Sequence, residues 1–320
     1  MVLIPLLIST AFAAVPPRTE AMLVRLESTR VDPVELAPFV NDANPEVRAR
    51  TAISLGRLRN SATLNNLAAL VSDSDEHVRV AAANALGQTA GSRVIVQRRL
   101  AIEPSHQVRT ALLNALGLQG NAWDIDKLLE SVQQMIDEDH STEEVAAAAE
   151  ALGQMAVRGI NTVRIERVCN ILVKQLRRTN IDIRSSAAFS LARIKPYNLN
   201  EQDSETLVAA AKDEGVANIK SHLIRATGAL RYAQGSRDEL LNDAMQHSAP
   251  SVRISVSRTA AGIGWTGLTG LLDDPDPNVA MAAIEAVGRM PTLDRLQLLG
   301  PIVRSGGLLE YTGVGPVDPR

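Results

Sequence analysis

In a chain of 320 residues, 33 basic against 36 acidic side chains leave a net charge of −3, which argues against a generally basic nucleic-acid binder. Hydrophobic residues reach 45% but aromatics only 2%, so the core must be built from Ala, Leu, Val and Ile, the first two of them strong helix formers. A charged fraction of 22% excludes a wholly disordered chain, and a single cysteine excludes an intramolecular disulfide framework or a multi-cysteine zinc site.

The chain opens on an apolar run at residues 2–8, and Ala11-Phe12-Ala13 then has the small-x-small form of a signal-peptidase site. No Lys or Arg precedes the run. Pro5 and the Pro16-Pro17 pair argue against a first helix packed on the rest of the chain. A signal peptide is therefore expected over residues 1–13, with cleavage near Ala13-Ala14 and a periplasmic or secreted bacterial location. No cysteine follows the cleavage point, so a lipid anchor is not indicated. No apolar run is long enough for a transmembrane helix.

From residue 44 onward one phrase recurs eight times. It reads NPEVRARTAISLG from Asn44, DEHVRVAAANALG from Asp75, SHQVRTALLNALG from Ser105 and STEEVAAAAEALG from Ser141. It continues as NIDIRSSAAFSLA from Asn180, VANIKSHLIRATG from Val216, APSVRISVSRTAA from Ala249 and DPNVAMAAIEAVG from Asp276. The closing residues Gly56, Gly87, Gly117, Gly153, Ala192, Gly228, Ala261 and Gly288 stand 31, 30, 36, 39, 36, 33 and 27 apart. Each phrase predicts a helix. Asn44, Asp75, Ser105, Ser141, Asn180 and Asp276 can accept a hydrogen bond from first-turn amides, Ser141 and Glu144 forming a capping box. Pro45, Pro250 and Pro277 stand where a missing N–H costs nothing. Before the phrases lie apolar stretches for a partner helix, at 64–71, 125–136, 168–176, 205–212 and 268–272, the last short enough to explain the shortest interval. Cys169 falls in one of them and is expected to be a buried core residue. Residues 293–303 read as a final helix and 305–320 as a flexible tail. The expected architecture is all-α: a solenoid of about eight to nine helical hairpins over residues 18–304.

The D/N-P-x-V-R entry, small residues in mid-helix and the closing Leu-Gly resemble HEAT repeats, in particular the bacterial subclass also found in phycobilisome-lyase-like proteins. The resemblance is strongest at Asn44-Pro45-Glu46-Val47-Arg48 and over residues 75–87. It weakens where Ala replaces Gly at 192 and 261, Thr227 replaces Leu and Ala280 replaces Arg. It implies a right-handed superhelix whose phrase helices line the concave surface.

The 100° helical step assigns faces. With the Val or Ile of the phrase as position zero, positions 0, 4, 8 and 11 cluster as the core face, filled by Val47, Thr51, Leu55 and Leu58, and by Val78, Ala82, Leu86 and Thr89. Positions 3, 6 and 10 lie opposite. They carry Arg50, Arg57, Arg193, Arg225, Arg258 and Arg289 against Glu150 and Glu285, with Phe189 and His222 among them. This face sums to +4 on a protein of −3, which suggests an acidic partner. Scattered solvated charge is the alternative reading. A second row, Arg48, Arg79, Arg109, Arg184 and Arg253 with Lys220, follows position zero at the edge of the core. There an Arg can meet a loop carboxylate such as Asp42 or Asp73 and form a structural ladder between repeats.

Enzyme signatures fail on context. Gly262-x-Gly264-x-x-Gly267 lacks the strand that a dinucleotide fold requires, and reads as a turn between helices. None of the histidines has helical zinc spacing; His77 and His106 at helix entries are expected to be exposed or to cap. HEAT-like iron hydroxylases carry His-Glu pairs, and this chain has no His-Glu dipeptide. Asp137-Glu138-Asp139-His140 lacks EF-hand spacing. Trp123 and Trp265 open the first helix of a repeat and are expected to plug packing. The expectation is a non-catalytic exported scaffold without cofactor or metal, binding a protein on a concave surface on the order of 70 Å long. Nucleic acid is not an expected partner. The alternatives are an accessory, lyase-like or chaperone-like module of an enzyme system, or the repeat region of a larger envelope protein such as a prolyl isomerase.

Overall fold

At five of the repeated phrases the helix begins where a side chain at its entry closes the first turn, whereas Val216 and Ala249 supply no such bond. In the computed structural model, which describes residues 14–30, 32–121, 124–126, 128–130, 142–158, 162–196 and 199–291, Asn44 Oδ1 accepts the Glu46 amide at 3.0 Å. Asp75 takes the amides of His77 and Val78, Ser105 that of Val108, Asn180 those of Asp182 and Ile183, and Asp276 that of Asn278. Each bond satisfies a donor that the helix leaves unpaired. At Ala249 no side chain caps, and Pro250 supplies the start. The described residues form helices and turns and contain no strand.

The chain packs as two compact units, residues 1–158 and 159–320. In the first, α1 (Pro17–Ser28) packs on α3 (Pro45–Leu58). The phrase helices α3, α5 (Glu76–Gln88), α7 (His106–Gln119) and α8 (Thr142–Val157) stack in succession. Behind them α2 (Ala37–Val40), α4 (Leu64–Leu70) and α6 (Arg93–Leu100) pack on α3, α5 and α7. Val47, Thr51, Leu55, Val78, Ala82, Leu86 and Thr89 are buried, as the helical period requires; Leu58, in the last turn of α3, stays partly exposed. The closing glycines let neighbouring phrase helices touch. A Cβ on Gly56 would lie 2.8 Å from Ala85 Cα, and one on Gly117 2.9 Å from Ala151 Cα.

In the second unit α10 (Ile181–Ile194), α12 (Ala217–Thr227), α14 (Pro250–Ile263) and α15 (Pro277–Arg289) stack in the same way. Their partners are α9 (Thr162–Gln175), α11 (Glu201–Asp213), α13 (Gln234–Ala244) and a 3-10 turn, Thr266–Leu271. That turn replaces a full helix and accounts for the shortest repeat. Gly262 lies within α14, Gly264 ends it at φ +67°, and Gly267 sits under the Trp265 indole, so the glycine triplet is a helix-to-turn corner. Cys169 is buried in α9; burial, then the nearby Glu166, pushes its thiol pKa up to about 12, which keeps it unreactive. The expected leader, the Ser141 cap, Trp123, the acidic run 137–140, the helix at 293–303 and the tail at 305–320 lie outside the described residues.

Candidate functional site

Two rows of arginines emerge from the phrase helices, and the structure gives them different surroundings. The row after position zero forms rungs between neighbouring hairpins. Arg48 bonds the carbonyl of Asp42 through Nη1 and forks onto Asp73 at 2.7 and 2.8 Å. Arg79 bonds the carbonyls of Asp73 and Ser74 and grips Glu103. Arg184 does the same with Arg178, Thr179 and Glu214, and Arg253 with His247, Ser248 and Asp274. Asp73, Glu103, Glu214 and Asp274 each also accept the backbone amide two residues on. One carboxylate thus fixes a loop and binds the preceding hairpin. These acids stand five residues before the next position zero, a recurring place of which the sequence singled out Asp73 but not Glu103, Glu214 or Asp274.

The rungs vary. Arg109 reaches the buried Glu144 inside α8, at 2.7 Å. His106, expected to be exposed or capping, also meets Glu144, through Nδ1 at 2.9 Å, while His77 lies 3.8 Å from Glu46. Lys220 is too short for a fork and bonds the carbonyls of Lys212 and Glu214.

Burial pushes Asp73, Glu103 and Glu214 up, but hydrogen bonds from the arginines and backbone amides outweigh it and hold all three below the ordinary carboxylate range. At Asp274 the Arg253 bond is itself the largest influence, again downward. These groups therefore stabilise the fold above the unfolded carboxylate range, and that stability is lost as pH falls through their lowered native values. His222 works on a higher window. Burial, then Arg225, lowers its pKa, so below about pH 6.5 the unfolded chain takes a proton that native His222 refuses. Stability is expected to fall in two stages, one from about pH 6.5 and one below about pH 4. Denaturant midpoints across pH check this, and His222→Phe should remove only the upper stage.

The opposite face does not hold together as one basic surface. Arg50, expected to be exposed there, turns onto α1: its Nε bonds Glu20 at 2.9 Å and its Nη1 bonds Glu27 and Ser54. Arg57 also pairs with Glu27, at 2.8 Å. Their charge is spent inside the first unit, because α1 supplies acids that face the row. Elsewhere the row in this unit presents the uncharged Ile53, Asn84, Gln88, Asn114 and Leu118, and one acid, Glu150.

In the second unit the cations converge. Phe189 meets His222 edge to face at 5.4 Å, and the Arg193 guanidinium lies 5.4 Å from the Phe189 ring centre. His222 Nδ1 is buried without a hydrogen-bond partner. Beside this cluster runs an open groove of about 490 Å³ lined by Lys195, Arg225, Arg258 and Arg289, with Ala192, Gly228, Ala229, Thr259 and Gly262 as its floor. No carboxylate lines it. Arg289 shares Glu285 at 3.4 Å, an exposed pair; Lys195, Arg225 and Arg258 make no ion pair among the described residues. Lys195 lines this groove and Arg193 does not. Lys195 ends α10 in the left-handed region at φ 57°, beyond the reach of a helical wheel, which is why the sequence reading missed it.

Among the described residues no group of three or more His, Cys, Asp or Glu is gathered as for a metal ion, and no helix is long and apolar enough to cross a membrane. A family model described as HEAT repeats matches residues 34–98. Among solved structures, YibA of Escherichia coli is 18% identical, with a TM-score of 0.57 over 87% of this chain and 99% of YibA. That likeness is one of fold. Human deoxyhypusine hydroxylase is 17% identical at a TM-score of 0.34, over 85% of this chain and 96% of its own. The CpcE–CpcF complex of phycocyanin lyase from a Nostoc species is 19% identical at a TM-score of 0.41, over 77% and 87%. No curated protein sequence matches. The chain thus carries HEAT repeats at residues 34–98, and stacked helical hairpins of the same kind recur within each unit.

Proposed function

We propose that this protein is a non-catalytic adaptor that binds a protein partner with an acidic surface, and that the basic groove of the second unit is where it does so. The observation that supports this is the set of cations around one open groove on a chain of net charge −3, with Lys195, Arg225 and Arg258 lacking an ion pair among the described residues. Cations that serve packing in this fold bond carboxylates or backbone carbonyls, as the rungs do. Like charges gathered without acids repel one another, and an anionic surface relieves that repulsion while steering encounter.

Changing Lys195, Arg225 and Arg258 to Glu is expected to abolish capture of the partners that the unaltered protein retains from envelope and cytosolic extracts. Melting should barely move, because exposed charges contribute only about 0–1 kcal/mol to folding. Retained capture, or a collapse of helicity, would reject the groove. Export belongs to the same proposal: intact-mass analysis of the expressed protein is expected to show a chain beginning at Ala14, and a chain retaining residues 1–13 would remove it.

A further inference from the structure

The groove has a pitch as well as a charge. Arg225 and Arg258 occupy the same helical position on neighbouring phrase helices, α12 and α14, and these are closely packed: a Cβ on Gly228 would lie 3.1 Å from Thr259 Cγ2. Helices in such contact have axes about 8–10 Å apart. Arg289 on α15, at position ten rather than six, and Lys195, just past the end of α10, line the same groove. Arg225 and Arg258 therefore recur at helix spacing, with one further cation contributed from each flanking phrase helix.

An extended polyproline II chain advances about 3.1 Å per residue and returns to the same side every third residue, so its like-facing side chains lie about 9 Å apart. That matches the helix spacing. A β-strand returns to the same side every second residue, at about 6.4–6.8 Å, and matches it less well. The floor suits a backbone: Ala192, Gly228, Ala229 and Gly262 present little side chain, and the place of a Cβ on Gly262 is open, with no atom within 4 Å. Single-stranded nucleic acid is the poorer fit, because no aromatic side chain lines the groove to stack a base.

We infer that the groove accepts an extended acidic peptide segment laid across α10, α12, α14 and α15, with carboxylates three residues apart facing Arg225 and Arg258, Lys195 and Arg289 flanking them, and its backbone seated over Gly262. This rests on the adaptor reading above and specifies the form its partner presents.

The test uses the full chain and a labelled peptide of repeated Glu-Pro-Pro units, compared by fluorescence anisotropy with a peptide of identical composition whose glutamates form one block. The spaced peptide is expected to bind at least about tenfold more tightly, and binding should weaken as salt rises. Gly262→Leu is the decisive variant. Its Cβ meets no atom within 4 Å, and it replaces a glycine in the last turn of α14 by a better helix former, so melting should hold. Binding of the spaced peptide should nevertheless drop by about tenfold or more. Equal binding of the two peptides, or undiminished binding by Gly262→Leu, overturns the seated, three-residue register and leaves the adaptor reading standing on charge alone. Tighter binding of an oligothymidylate of equal charge overturns the peptide occupant. Binding of neither peptide, together with partner capture that survives the Glu triple variant, overturns both readings.

Discussion

Replacing Arg79 by glutamate is expected to destabilise the protein by about 3–5 kcal/mol, the cost of stranding one partner of a buried, hydrogen-bonded ion pair. Arg79 is buried to 10% side-chain exposure and Glu103 to 0%. The guanidinium holds Glu103 through two bonds of 3.2 Å and the carbonyls of Asp73 and Ser74 at 3.0 and 3.1 Å. A glutamate would leave those carbonyls without a donor and set a second carboxylate against Glu103, which Arg99 and the Ser105 amide also grip. Arg79→Met should cost less, because it keeps the packed stem and leaves Glu103 with Arg99. Arg258→Glu, at an exposed position with no ion pair among the described residues, is expected to stay within about 0.5 kcal/mol. Denaturant unfolding followed by far-UV circular dichroism measures all three. An Arg79→Glu midpoint equal to that of Arg258→Glu would sink the account of the rungs.

Leu86→Ala is expected to cost about 2–5 kcal/mol, the transfer energy of the lost carbons plus the cavity they leave. Leu86 is 0% exposed on the core face of α5, at position eight of its phrase. Leu118, of the same residue type on α7, is 50% exposed because position ten faces away from the core. Leu118→Ala should therefore change stability by no more than about 0.5 kcal/mol. The comparison isolates the face assignment, since chemistry and helix propensity change identically at both sites. Indistinguishable melting of the two variants would mean that the faces are wrongly assigned.

What could be read along the chain was whatever depends on neighbours within about one turn. A cap is a bond from Asn44 or Asp75 to an amide two or three residues on, so residue type and order suffice to predict it. The burial of Val78, Ala82 and Leu86 follows from the 3.6-residue period, and the closing glycines from the recurrence itself. The arginine rungs were half legible. Their side chains could be placed at the edge of the core, and Asp73 was among the acids named. Glu103, Glu214 and Asp274 required the register between one hairpin and the next.

Of the candidate site, the sequence determined that Arg225, Arg258 and Arg289 would be exposed, because each lies opposite a buried stripe on its own helix. Only the tertiary structure decided which exposed arginines keep their charge available. Arg50 and Arg57 lose theirs to Glu20 and Glu27 on α1, a helix some 23–30 residues away in sequence. Lys195 joins the groove because α10 ends in a left-handed turn and α12 and α14 pack beside it. Helical faces come from bonds four residues long, which the order of residues encodes directly. Charge pairing and groove shape come from segments about one repeat apart, and those distances exist only once the hairpins have stacked.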